Sequence, residues 1–147
     1  MRTFRFFATR PVTMVLNVFA STAVSAERIT NNPEDAHKMG HMYYVNDSTF
    51  GDFNCKVYDH IHPVGVPLLD KSDALLFPST IWGPTCDSED LIEENKMMRV
   101  MEVGEWMVYP DMGAYTLVGA SPFNGFQLPQ RFYVASEDTW RTLGLSE

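Results

Sequence analysis

Basic residues are scarce in this chain of 147 residues, with 11 lysines and arginines against 19 aspartates and glutamates and a net charge of −8. That balance excludes a general affinity for nucleic acid or anionic membranes and favours solubility. Cysteine is scarcer still, and Cys55 and Cys86 fit no metal-ligand spacing; the four scattered histidines do not supply one either. A reduced, cytosolic protein is the simplest inference, with a single Cys55–Cys86 disulfide left open. No apolar run is long enough to span a bilayer, and there is no internal repeat, low-complexity tract or interdomain linker. What is present suits one folded domain, since 45% hydrophobic and 13% aromatic content can fill a core.

The opening stretch "MRTFRFFATRPVTMVLNVFASTAVSAE" mimics a secretory signal or an organellar presequence, with early arginines, an apolar stretch from Val12 to Ala20 and small residues up to Ala26. Against export stand Asn17, which interrupts the run, and the alternation Val12, Met14, Leu16, Val18, which reads as a half-buried strand. Further on, the grain is that of a β protein. Met42 to Val45 and Phe53 to Tyr58 read as extended runs, with "NDSTFGD" as turn chemistry between them. "PVGVPLLDKSD" reads as a loop and "ALLFPSTIWG" as a strand. "SEDLIEENKMMRVM" reads as the one short helix, capped by Ser88 with Glu89 and Asp90 in its first turn. The stretch from Glu102 to Ser136 holds three more strand candidates, divided by Pro110 to Gly113 and Pro122 to Gly125. Short strands at these intervals predict a mainly-β fold, an antiparallel Greek-key-like β-barrel with one or two short helices.

One motif carries chemistry. In "PSTIWGPTCDS" the Gly-Pro turn ends a strand and presents Cys86 and Asp87 at a loop tip, where reactive groups on rigid scaffolds usually sit. The bland alternative makes Cys86 a small buried apolar residue.

"YYVNDSTFGDFNCKVYDH", "IWGPTCDSEDLI", "VGEWMVYPDMGAYT" and "FNGFQ", in this order and spacing, resemble eukaryotic ornithine decarboxylases over a stretch from about Phe6 to Val134. The resemblance implies the pyridoxal-phosphate-dependent ornithine, diaminopimelate and arginine decarboxylases, which convert L-ornithine to putrescine and carbon dioxide in polyamine synthesis. In that family an N-terminal α/β barrel carries the cofactor lysine and a C-terminal β-barrel domain completes the site of a cytoplasmic homodimer. On this reading residues 1–10 are a remnant of the junction to the N-terminal barrel and residues 11–147 are the C-terminal domain.

The resemblance also implies roles. The cysteine matching Cys86 reaches across the dimer interface and returns a proton to the substrate carbon after carbon dioxide leaves, a task suited to a tunable thiol. Asp87 matches the carboxylate that holds the distal ammonium of ornithine, and Asp59 in "KVYDH" matches the second substrate carboxylate. Tyr58 matches a residue of the substrate pocket, and Phe123 an aromatic lining the shared site. Tyr115 matches a tyrosine whose hydroxyl contacts the cofactor phosphate. Gly113 and Gly125 are expected to permit backbone conformations or close approaches that a side chain would block. By register Arg5 matches a phosphate-binding arginine, but Arg2, Thr3 and Phe4 replace the Glu-Pro-Gly that precedes it in the family. Without the resemblance, Asp59 would read as a strand terminator and Tyr58 and Tyr115 as core.

Other readings stand beside this one. Inactive relatives of ornithine decarboxylase act by binding the regulatory protein antizyme; they tend to lose positions equivalent to Tyr115 and Gly125, both kept here. A secreted β domain with one disulfide is the third reading. Lys38, Lys56, Lys71 and Lys96 are the lysines of the chain, and none stands in the family's cofactor-lysine motif. The chain is therefore expected to hold about half of a decarboxylase site and to be inactive alone.

Overall fold

The computed structural model describes residues 7–69 and 71–144. Its frame is a six-stranded sheet of β1 (Met14–Ser25), β2 (Met39–Val45), β3 (Val66–Pro67), β4 (Leu76–Trp82), β5 (Leu91–Arg99) and β6 (Trp106–Tyr109), in the order β3-β6-β1-β2-β4-β5. The mainly-β expectation holds. The alternation at the start of β1 is real, since Met14, Leu16 and Val18 are buried and Val15 faces out. The apolar part of the stretch that mimicked an export signal lies largely in this central strand, β1, whose first half pairs with β6 and second with β2. A bulge between Val18 and Ala20 lets one strand serve both neighbours.

Among the described residues the pairings are antiparallel except that of β2 with β4, which runs parallel from His41↔Ser79 to Tyr44↔Trp82. A parallel pair cannot be closed by a hairpin and needs a long crossover. Here the crossover carries the loop at residues 47–54, the one-turn helix α2 (Cys55–Tyr58) and β3. The other short helices are α1 (Glu27–Thr30) and α3 (Glu137–Thr142).

β3 and β5 are the two ends of the sheet order, yet side chains join them. Glu93 Oε1 accepts from the Gly65 amide at 3.0 Å, Lys96 Nζ donates to the Gly65 carbonyl, and Arg99 Nη2 donates to the Leu69 carbonyl at 2.9 Å. These bonds satisfy backbone groups flanking β3 that a further strand would otherwise pair. The sheet thus curls toward a barrel whose seam is sealed by side chains, not by a ladder. Tyr109 packs flat against Gly65, where an added Cβ would lie 2.4 Å from its ring. Inside, Tyr43, Tyr109, Phe53, Leu16, Ile81 and Ile92 are fully buried, and Phe53 meets Tyr109 edge-on at 4.9 Å.

Three expectations are corrected. The "SEDLIEENKMMRVM" stretch is the strand β5 and not a helix, because pairing with β4 from Leu76↔Arg99 to Trp82↔Leu91 overrides the helix preference of its Glu, Lys and Met residues. Phe53 to Tyr58 is not extended. Phe53 plugs the core and the chain then closes into α2, with the Asn54 carbonyl accepting from both Val57 and Tyr58 amides. The strand candidates beyond Tyr109 do not form among the described residues: the chain folds into turns, a 3-10 turn at Phe123–Gly125 and α3. Cys55 is buried, Cys86 is exposed, and both are free thiols.

Candidate functional site

The loop at residues 47–54, read from sequence as simple turn chemistry, organises the surroundings of the predicted site residues. Asp47 Oδ1 accepts from the amides of Ser48 at 2.7 Å and Asp52 at 3.2 Å, and Ser48 Oγ accepts from Phe50 at 2.9 Å, so short polar side chains replace a ladder. Gly51 leaves room for this, since a Cβ there would lie 2.3 Å from Asp47 Oδ1. Three anchors leave the loop. Thr49 bonds the Cys86 loop, Phe50 bonds the Phe123 region, and Asn54 bonds the Tyr115 segment.

The first anchor is the densest. Asp90, fully buried, accepts at Oδ1 from the Thr49 amide (2.9 Å) and hydroxyl (3.2 Å), and at Oδ2 from the Thr85 amide (3.0 Å) and hydroxyl (2.7 Å). Its own carbonyl accepts from Gly83 at 2.8 Å and its amide donates to the Asp87 carbonyl at 3.1 Å. The loop from Gly83 to Asp90 is closed at both ends by one residue. Cys86 stands exposed within it, as the Gly-Pro turn predicted, and the alternative of a buried Cys86 is excluded. Asp87 is half-buried, and its Oδ1 accepts from the Glu89 amide at 2.9 Å.

The second anchor is aromatic and polar together. The Phe50 carbonyl accepts from the amide and hydroxyl of Ser121 at 3.0 and 3.2 Å, and the Phe50 and Phe123 rings lie 4.1 Å apart. Phe123, with Asp47, Pro84 and Ser121, lines a small cavity between this region and the Cys86 loop. In the third anchor Asn54 Nδ2 donates to the carbonyls of Gly51 at 2.6 Å and Thr116 at 2.5 Å. Thr116 is buried while its neighbour Tyr115 is 47% exposed at φ +53°, a left-handed conformation costly for a bulky side chain. Tyr115 is therefore not a core residue. Gly113 fits its place because a Cβ would lie 1.8 Å from the Ala8 carbonyl oxygen, and Gly125 has φ +80°.

Tyr58 and Asp59 follow the loop through α2. Tyr58 is 69% exposed, which removes the core reading, and half-buried Asp59 caps the helix with its amide donating to the Cys55 carbonyl at 3.0 Å. Arg5 lies outside the described residues. The lysines are engaged structurally: Lys56 and Lys96 donate to backbone carbonyls, Lys38 pairs with Asp35 at 2.7 Å and Lys71 with Glu105 at 3.9 Å.

Charge in the 47–54 loop is unusual. Burial first, then the neighbouring Asp52 and Asp90 carboxylates, push the Asp47 carboxyl up to about 7, although two backbone amides pull the other way. Burial also raises Asp52, with Arg131 opposing. Both Asp52 carboxyl oxygens and Asp47 Oδ2 are buried without a hydrogen-bond partner among the described residues. Sequence reasoning missed Asp47, Thr49, Asn54 and Asp90 as positioning groups. For Asp47, Thr49 and Asn54 the signal was the density of Asp, Ser, Thr and Asn in "NDSTFGDFN", which exceeds what a plain hairpin turn needs; Asp90, outside that stretch, had none.

Comparison with known proteins matches residues 12–113 to the family described as pyridoxal-dependent decarboxylase, C-terminal sheet domain. Ornithine decarboxylase of Caenorhabditis elegans is 52% identical over 139 residues, covering 95% of this chain and 33% of that protein. Antizyme inhibitor 2 of Xenopus laevis is 37% identical over 144 residues, covering 96% of this chain and 31% of that protein. Among solved structures, the lysine/ornithine decarboxylase of Vibrio vulnificus complexed with cadaverine superposes with a TM-score of 0.76 at 27% identity, covering 90% of this chain and 32% of that one. The chain thus spans about a third of the length of the curated relatives it matches.

Proposed function

Because the chain belongs to the pyridoxal-dependent decarboxylases, as their C-terminal sheet domain, we propose that it forms the C-terminal half of an ornithine decarboxylase-like site. The reaction is conversion of L-ornithine to putrescine and carbon dioxide in the cytoplasm. One observation carries this reading: the loop bearing Cys86 and Asp87 is tied to the same short segment that holds Tyr115 and Phe123.

Asp87 and Asp59 suit the distal ammonium of a diamino acid, since a cationic chain end needs an anion at a fixed distance from the reacting carbon. The exposed Cys86 thiol suits return of a proton to that carbon once carbon dioxide has left, and by family resemblance the site it serves is that of a second subunit. Tyr115, 47% exposed on a left-handed backbone while Thr116 anchors the segment, suits a phosphate contact through its hydroxyl. Phe123 walls a small cavity that it shares with Asp47 and Pro84. Pyridoxal phosphate, when bound, supplies the electron sink for loss of carbon dioxide. The lysine that carries it is assigned to an N-terminal barrel, because none of the lysines here stands in the family's cofactor-lysine motif. Partners are therefore such a barrel and a second subunit.

The test joins this chain to the N-terminal part of the C. elegans ornithine decarboxylase. The expected result is release of carbon dioxide from L-ornithine, lost on Cys86→Ala with cofactor absorbance retained. The similarity to antizyme inhibitor 2 supports a second reading, a regulator that binds antizyme without catalysis. A fusion that folds but neither holds the cofactor nor releases carbon dioxide favours that reading.

A further inference from the structure

We propose that Asp90 is a positioning residue that fixes where Cys86 and Asp87 stand relative to the segment holding Tyr115 and Phe123. The proposal rests on the decarboxylase reading for its purpose but not for its geometry. Among the described residues, the hydrogen bonds joining the loop from Gly83 to Asp90 to residues 47–54 all run through Thr49. They end on the Asp90 carboxylate and the Glu89 carbonyl. On the other side the carboxylate holds both polar atoms of Thr85, whose hydroxyl in turn accepts from the Asp87 amide at 3.4 Å. Cys86 therefore sits between two residues whose backbone is tied, directly or through one hydroxyl, to a single buried carboxylate. Gly83 completes the seat, since a Cβ there would lie 2.3 Å from Asp90 Oδ1.

The arrangement requires a carboxylate and not merely a polar group. Each oxygen accepts from a backbone N–H, Thr49 on one side and Thr85 on the other. An asparagine at this place turns its amide nitrogen toward one of those donors whichever way it is oriented, and a donor facing a donor loses the bond. The hydroxyls can rotate to adapt; the two amides cannot.

The test is amide exchange and backbone order measured by NMR on the isotope-labelled full chain, with Asp90→Asn, Thr49→Val and Thr49→Ser. Asp90→Asn is expected to speed exchange at the Thr49 and Thr85 amides by about tenfold or more, the scale of a lost charge-assisted hydrogen bond. The order parameter at Cys86 is expected to fall from about 0.85 to below about 0.6, while the β1–β2 ladder keeps its protection. Thr49→Val should loosen the loop to a lesser degree. Thr49→Ser, which restores the hydroxyl, should not loosen it. Should Asp90→Asn fail to fold, the Val and Ser pair at Thr49 decides. Unchanged exchange at Thr49 and Thr85, equal loss across the β1–β2 ladder, or identical behaviour of the Val and Ser variants overturns the proposal. No measurement here needs cofactor or substrate, so the clamp can fail while the decarboxylase reading stands on carbon dioxide release, and the reverse.

Discussion

At the seam between β3 and β5, Arg99 is 5% exposed and grips Glu105 through two bonds of 2.7 and 2.9 Å. In the loop at residues 47–54, buried Asp52 and Asp47 keep carboxyl oxygens with no donor among the described residues. The electrostatic consequences are opposite. The Arg99 guanidinium, through its hydrogen bonds, holds the Glu105 carboxyl down at about 2, whereas burial lifts Asp47 to about 7. The seam spends its charges on closing the sheet. The loop holds raised carboxylates at a cost to stability, an arrangement that clusters at functional sites, and here it anchors the residues assigned to chemistry.

Removing the seam's cation should have the largest effect on the fold. Arg99→Ala leaves the Leu69 and Val100 carbonyls without this donor and strips the Glu105 carboxylate of its two-bond partner, so that the Glu102 amide at 2.8 Å and Lys71 at 3.9 Å remain to it. The expected loss is about 3 kcal/mol or more, the scale for breaking a buried pair, read as a fall in the denaturant midpoint at constant slope. A loss below about 1 kcal/mol would show that the seam is not what closes the sheet.

The loop answers to pH with the opposite sign. Asp47 has its folded pKa raised above 3.8, so its contribution is fully present below that value and lost as pH rises through about 7. Glu105 has its folded pKa lowered from 4.5, so its contribution is present above that value and lost as pH falls toward about 2. For these two groups together, stability should therefore be greatest at about pH 4, where the Glu105 contribution is largely in place and the Asp47 loss has only begun. Asp47→Asn keeps an oxygen for the Ser48 and Asp52 amides and removes the charge. It should raise stability at pH 8 by about 1 kcal/mol or more and flatten the decline between about pH 4 and pH 7, while leaving the acid limb unchanged. A wild-type midpoint that stays level from pH 5 to pH 8 would contradict the assignment.

The smallest effect marks the baseline for both regions. Arg141 pairs with Glu137 on α3, with both side chains largely exposed at 64% and 78%. Arg141→Ala should change stability by no more than about 0.5 kcal/mol, and calorimetry at two salt concentrations would reveal a larger role.

Much of the site was legible because its residues are local in sequence. The Gly-Pro turn ahead of Cys86 predicts an exposed loop tip, and an exposed tip is what forms. The alternation from Val12 to Val18 likewise marked a strand against the competing export signal, since side-chain period is fixed by backbone geometry. Asp90 was read as a helix-start residue because acidic side chains favour helix N-termini. Its real role depends on Thr49, 41 residues away, and no local pattern records that pairing.

The sequence by itself determined the mainly-β character, the exposed Cys86 loop tip and the family, because alternation, turn residues and motif order are properties of neighbours along the chain. Tertiary structure alone decided that "LIEENKMMR" is a strand, that β2 and β4 run parallel, and that the sheet is sealed through Glu93, Lys96 and Arg99. Each of these rests on partners distant in sequence, whose backbone bonds and buried contacts outweigh a residue's intrinsic preference. The same holds for the loop at residues 47–54: its side chains are ordinary turn formers, and only burial against the Cys86 and Tyr115 segments makes its carboxylates costly and its bonds directional.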